Sequence, residues 1–134
     1  MTSEIINHNY IEIHNDCHAA GIVAGIKAKP TPMMVGEAKS PFSNEIDYEK
    51  QTYLLDDGAC GYAWITIRPG NSKLANAYKK LGLAKPAYGG GVSVWVNEFG
   101  QSVERKTAYA NAYAIKLREL CPSVTNIYAD SRLD

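Results

Sequence analysis

Residues 59–68 and 92–97 alternate between two kinds of side chain, and this alternation constrains the fold more than any other feature of the chain. Successive side chains of a strand point to opposite faces of a sheet. In the first stretch Ala59, Gly61, Ala63, Ile65 and Ile67 share one face, and Cys60, Tyr62, Trp64, Thr66 and Arg68 share the other. In the second, Val92, Val94 and Val96 lie opposite Ser93, Trp95 and Asn97. A sheet holding both strands has a small, aliphatic face suited to a core beneath helices. Its other face carries aromatic rings and a guanidinium.

The remaining elements follow from punctuation and periodicity. Residues His8 to Lys29 read as a helix stopped by Pro30 and Pro32, since a proline disfavours helical geometry in the residue before it. Its Ala19, Ala20, Gly21, Ala24, Gly25 and Ala28 form a small-residue face, which suits close backbone approach. Met33–Val35 suits a short strand, and Lys39–Lys50 reads as a loop. Gln51–Leu55 and Ala59–Arg68, joined by Asp56-Asp57-Gly58, read as a hairpin closed off by Arg68-Pro69-Gly70. Asn71 or Ser72 caps a helix ending near Leu81, with Gly82 just beyond. The Gly89-Gly90-Gly91 run precedes the strand Val92–Asn97.

Ser102 caps a last helix reaching Leu120 before Pro122. Val103, Thr107, Ala110, Ala114, Leu117 and Cys121 give it a core-facing stripe. Ser102, Lys106, Tyr109, Tyr113 and Lys116 form a second stripe, with Arg105 nearby, and this reads as a solvated amphipathic face. Val124–Ala129 is the last expected strand, and Asp130–Asp134 reads as a frayed tail from which Arg132 could reach a ligand. The expected class is α+β, a sheet of about four or five strands with helices packed on one face. No internal boundary divides the chain, so residues 1–134 are expected to form one domain.

Charge and cysteines narrow the function classes. Fourteen basic and fourteen acidic side chains cancel, which disfavours extended nucleic-acid binding, where several phosphates must be neutralised at once. A compact nucleotide-like ligand needs fewer cations. The three cysteines, Cys17, Cys60 and Cys121, are widely spaced and form no CxxC pair. They read as reduced thiols of a cytoplasmic protein. No signal peptide or membrane span is expected.

The aromatic face is the main functional candidate. Tyr62, Trp64 and Trp95 suit stacking on a base, while Arg68 and Arg105 suit phosphate contact. The same face also suits coverage by the first helix or by a second subunit, and a homo-oligomer is expected. Tyr88 and the glycines after it could bring backbone amides to an anion, although no P-loop lysine follows. His14 and His18, four apart with Glu12, Asp16 and Cys17 nearby, share a helix face suited to two metal ligands, but no third ligand is identifiable. Cys60 could act as a nucleophile only beside a base such as His14 or His18. No cofactor is expected.

Four stretches carry a resemblance. They are HAAGIVAGIKAKPTPM at His18–Met33, GACGYAWITIR at Gly58–Arg68, GGVSVWVNEFGQSVERKTAYANA at Gly90–Ala112 and YADSRLD at Tyr128–Asp134. Together they make the chain similar to small uncharacterised proteins of tailed bacteriophages. That likeness implies an accessory protein working in the host cytoplasm, countering host defence or another host function, and it brings no activity, cofactor or site residue with it. The leading expectation is a non-enzymatic binder of an anionic nucleotide-like ligand or nucleic acid. The alternatives are an inhibitor or assembly protein that docks a bacterial host protein on the same aromatic face, and a small thiol- or metal-dependent enzyme.

Overall fold

The strand Gly61–Arg68 (β3) organises the molecule, because both of its edges are paired. The computed structural model describes the backbone of residues 3–36, 52–55 and 58–134, and the side chains of residues 9–32 and 58–134. In chain order the elements are α1 (Ser3–Lys27), β1 (Met33–Gly36), β2 (Thr52–Leu55), β3, α2 (Lys73–Lys80), β4 (Lys85–Pro86), β5 (Val92–Trp95), α3 (Val103–Leu120) and β6 (Asn126–Leu133). Four strands form one antiparallel sheet in the order β4-β5-β3-β6. The class is α+β, as the alternating pattern implies.

The expected hairpin between Gln51–Leu55 and Ala59–Arg68 does not form. β2 pairs instead with β1, antiparallel from Met33↔Leu55 to Gly36↔Thr52. β5 and β6 take the two edges of β3 and leave no edge for β2. Gln51, Asp56 and Asp57 of that expected hairpin, and the expected loop Lys39–Lys50, lie outside the described residues.

Helices cover the aliphatic face. Ala63, Ile65 and Ile67 of β3, Val92 and Val94 of β5, and Ile127 of β6 join one core with Ala110, Ala114 and Leu117 of α3 and Leu74, Ala75 and Tyr78 of α2. Ser72 caps α2 by accepting from the Ala75 amide, and Ser102 caps α3 by accepting from the Arg105 amide. Of the expected core stripe, Val103, Ala110, Ala114 and Leu117 are buried, and Thr107 and Cys121 are half-buried.

The second stripe of α3 is a correction. Ser102, Lys106, Tyr109 and Tyr113 are buried, not solvated. α3 lies between the sheet and α1, so it needs two apolar faces and not one. The small-residue face of α1 makes that contact possible. A Cβ at Gly21 would meet the Tyr109 ring at 2.6 Å, and one at Gly25 would run into Phe99. The phenol groups keep partners in the layer between the helices. Tyr113 Oη lies 2.7 Å from His14 Nδ1 and 2.8 Å from Tyr78 Oη, while Tyr109 Oη lies 2.6 Å from His18 Nδ1. Burial raises the pKa values of all three phenols.

The chain's last residues differ from expectation too. β6 continues to Leu133, and β3 pairs with it over its whole length, from Gly61↔Leu133 to Arg68↔Asn126. The residues expected to fray therefore form a sheet edge. Among the described residues no helix is long and apolar enough to cross a membrane.

Candidate functional site

The second face of the sheet carries no packed helix from the core just described, and its side chains fall into rows set by the strand register. Tyr62 lies across from Arg132. Next comes Trp95–Trp64–Asp130, then Lys85–Ser93–Thr66–Tyr128, and last Arg68 across from Asn126. Directly opposed residues of an antiparallel pair share a face. The period-two pattern read on β3 and β5 therefore extends onto β6 as Tyr128, Asp130 and Arg132, and onto β4 as Lys85.

The sequence-expected aromatic residues do meet. Trp64 and Trp95 have ring centroids 4.9 Å apart with planes tilted by 38°, and Tyr62 meets Trp95 edge-on at 6.3 Å. Each end of this cluster carries cations. At one end the Arg132 guanidinium lies 5.5 Å and the Lys106 ammonium 5.8 Å from the Tyr62 ring centroid. At the other, the Arg68 guanidinium lies 5.7 Å from the Tyr128 ring centroid. Such distances suit cation–π attraction.

A groove of about 390 Å³ opens in the middle of the face. Thr66 and Ser93, both buried, lie in the row between the tryptophan pair and Arg68. Trp64 and Trp95 border the groove on one side, Arg68 and Tyr128 on the other, and Asp130 and Arg132 also line it. Tyr88, expected as a ligand residue, reaches the groove from the Ala87–Gly91 loop and is fully exposed. The glycines of that loop have positive φ, and a Cβ on Gly91 would strike the Arg68 side chain and the Ile67 carbonyl. Gly91 thus packs closely against Arg68, whose Nε donates to the Gly90 carbonyl at 3.3 Å.

A second groove of about 610 Å³ continues past Trp95. It is lined by Tyr62, Lys85, Asn97, Lys106 and Arg132, and it shares Ser93, Trp95 and Arg132 with the first. β5 ends at Trp95, leaving Tyr62 without a strand partner on that side, and Lys106 reaches Tyr62 there from α3. Among the described residues, four cationic side chains (Arg68, Lys85, Lys106 and Arg132) line the two grooves against one carboxylate, Asp130. The neutral total charge hides this local excess. Among the described residues no carboxylate lies within ion-pair distance of Arg68, Lys106 or Arg132.

The chain matches no family model, no curated protein and no solved structure.

Arg105 stands apart from it. The Arg105 guanidinium donates to the carbonyls of Gly25 (2.9 Å) and Ile26 (3.3 Å) at the end of α1. It caps a helix C-terminus, where cations are favoured, and, contrary to expectation, lines neither of the two grooves beside the aromatic rings. Lys106, one residue on, is the α3 cation that reaches the aromatic face. Helical spacing alone could not choose between neighbours. Lys85, Tyr128 and Asp130 are further residues of the face without a role in the sequence reading. Tyr128, Asp130 and Arg132 carried the signal, an alternation like that of β3.

The imidazoles of His14 and His18 are engaged with Tyr113 and Tyr109, and His18 Nδ1 also lies 3.8 Å from Glu98. Among the described residues no three His, Cys, Asp or Glu side chains cluster as a metal site. Cys60 is exposed just before β3 and bridged by backbone to Ser102, while the hydrogen bonds of the His14 and His18 rings go to Tyr113 and Tyr109. Burial pushes the Cys17 thiol up to about 12 and raises that of Cys121, so both are poor nucleophiles at neutral pH. A separate groove of about 610 Å³, lined by Tyr10, Ile13, Leu74, Leu120, Cys121 and Val124 among others, shares no residue with the aromatic face.

Proposed function

We propose that the protein binds an anionic nucleotide-like ligand or nucleic acid on the second face of its sheet. The observation that carries this reading is the joining of stacked aromatic rings to cations that have no carboxylate partner among the described residues. A base has a π-face for Trp64, Trp95 or Tyr128, and its phosphate has Arg68 or Arg132 within the same groove. The Thr66 and Ser93 hydroxyls can donate to or accept from a base edge, and the Asp130 carboxylate can accept from an exocyclic amino group. No step of bond making is needed. Binding by itself is the activity, and in the phage setting that the sequence resemblance implies it would serve sequestration, including sequestration against host defence.

The direct test uses the two tryptophans, the only ones in the chain and both on this face. Titration with AMP, CMP or short single-stranded oligonucleotides is expected to quench their emission and to saturate. The Arg68→Gln variant should bind at least ten-fold more weakly, since a charge-assisted contact is worth roughly 1.5–3 kcal/mol. Absence of saturable quenching and of calorimetric heat for every nucleotide tried would overturn the proposal. Capture of a defined protein by wild type but not by Trp95→Ala would instead favour a protein-docking face, whose hot spots are also Trp, Tyr and Arg.

A further inference from the structure

The two grooves adjoin, sharing Ser93, Trp95 and Arg132, and the length of the face they span bears on what it binds. From Tyr62 to Arg68 the face runs six residues along β3, about 20 Å at ~3.3 Å per residue. Cations stand at both ends of that run. Lys106 and Arg132 flank Tyr62 at one end, and Arg68 lies over Tyr128 at the other. The aromatic rings of Tyr62, Trp64, Trp95 and Tyr128 occupy the space between. One nucleoside monophosphate, with a single base and a single phosphate, can use one end only. The face is also open, with Trp95 43% exposed and Tyr88 fully so. An enclosed pocket buries most of a small ligand, and this face does not enclose one.

Resting on the nucleotide-binding reading above, we infer that the ligand is a linear single strand of at least two nucleotides laid along β3. One base occupies the groove floored by Thr66 and Ser93, against the Trp64–Trp95 pair. The next occupies the groove of Tyr62 and Asn97. Arg132 borders both grooves and is the contact for the phosphate that links them. Lys106 and Arg68 take the phosphates on either side. Asp130, beside Arg132 on the same strand, repels a phosphate from the middle of the first groove and so directs the backbone toward the cationic ends.

The experiment is a length series on the whole protein, read by tryptophan quenching and calorimetry, with AMP, the linear dinucleotide ApA, linear hexa-adenylate and cyclic di-adenylate as probes. Affinity is expected to rise at least ten-fold from AMP to the linear hexamer. The slope of log K against log salt should steepen to about −2 for the hexamer, from ~0.7 per phosphate contact over three contacts. Tyr62→Leu and Lys106→Met should each bring the hexamer back toward AMP in affinity. Lys106 is buried, so Arg132→Gln, at an exposed position, provides a second charge variant should the lysine variant not fold. Equal affinity for AMP and the hexamer would overturn the two-subsite inference and leave the nucleotide-binding reading standing. Tighter binding of cyclic than of linear di-adenylate would overturn the linear strand. Binding of none of the four would overturn the inference and the reading together.

Discussion

Trp64 and Trp95 lie directly opposite each other on neighbouring strands, with ring centroids 4.9 Å apart, on the sheet face away from the helices. A cross-strand aromatic pair contributes on the order of 0.5–1.5 kcal/mol beyond the area it buries. A double-mutant cycle on unfolding with Trp64→Ala and Trp95→Ala should therefore give a coupling energy of ~0.5–1.5 kcal/mol. Trp95 is 43% exposed, so Trp95→Ala by itself should leave a cooperative, folded protein. Its effect on ligand affinity, about ten-fold or more for one lost base stack, is then separable from its effect on stability.

Arg105 acts on the fold, and Arg105→Ala is expected to lower stability by about 1 kcal/mol through loss of its bonds to the α1 carbonyls. Nucleotide affinity, measured well below the melting temperature, should stay within about two-fold of wild type, a change of ~0.4 kcal/mol. A ten-fold loss of affinity in a folded Arg105→Ala protein would return this residue to the binding face.

Gly25→Ala tests the seam between α1 and α3. Helix propensity favours alanine by ~1 kcal/mol, but the added Cβ would collide with the Phe99 ring. Overpacking of this kind costs ~1–3 kcal/mol, so the net change should be destabilising. Gly21→Ala, against Tyr109 at 2.6 Å, should act in the same direction. A rise in Tm for either variant would show that the rings move aside freely.

His14 makes stability depend on pH. Burial, then repulsion by His18, lowers its pKa below the ordinary value, with Glu98 opposing. The folded protein therefore binds a proton at His14 less readily than the unfolded chain. The stabilising contribution is fully present above about pH 6.5, the unfolded value, and is lost as pH falls below it toward the lower native value. Tm should drop across that window in wild type. The drop should be smaller in His14→Asn, which keeps a polar partner for Tyr113 without the titrating ring. A pH profile unchanged by His14→Asn would assign the effect elsewhere.

What the sequence determined by itself was local. The two-faced character of residues 61–68 and 92–95, the caps Ser72 and Ser102, and the turn at Gly82 all follow from steric preferences and hydrogen bonds within a few residues. From these came the α+β class and the meeting of Tyr62, Trp64 and Trp95 with Arg68 on one face. Only the tertiary structure decided the rest. β3 takes β5 and β6 as neighbours, not the strand just before it, because strand partners are chosen by the burial of whole faces and not by short connections. That choice turns Asp130–Leu133 from a tail into a strand and brings Arg132 and Tyr128 to the site. The packing of α1 on α3 likewise buries Tyr109 and Tyr113, whose hydroxyls find histidine partners more than ninety residues away in sequence. Helical periodicity marks such a stripe, but the element that covers it is fixed by contacts between distant parts of the chain.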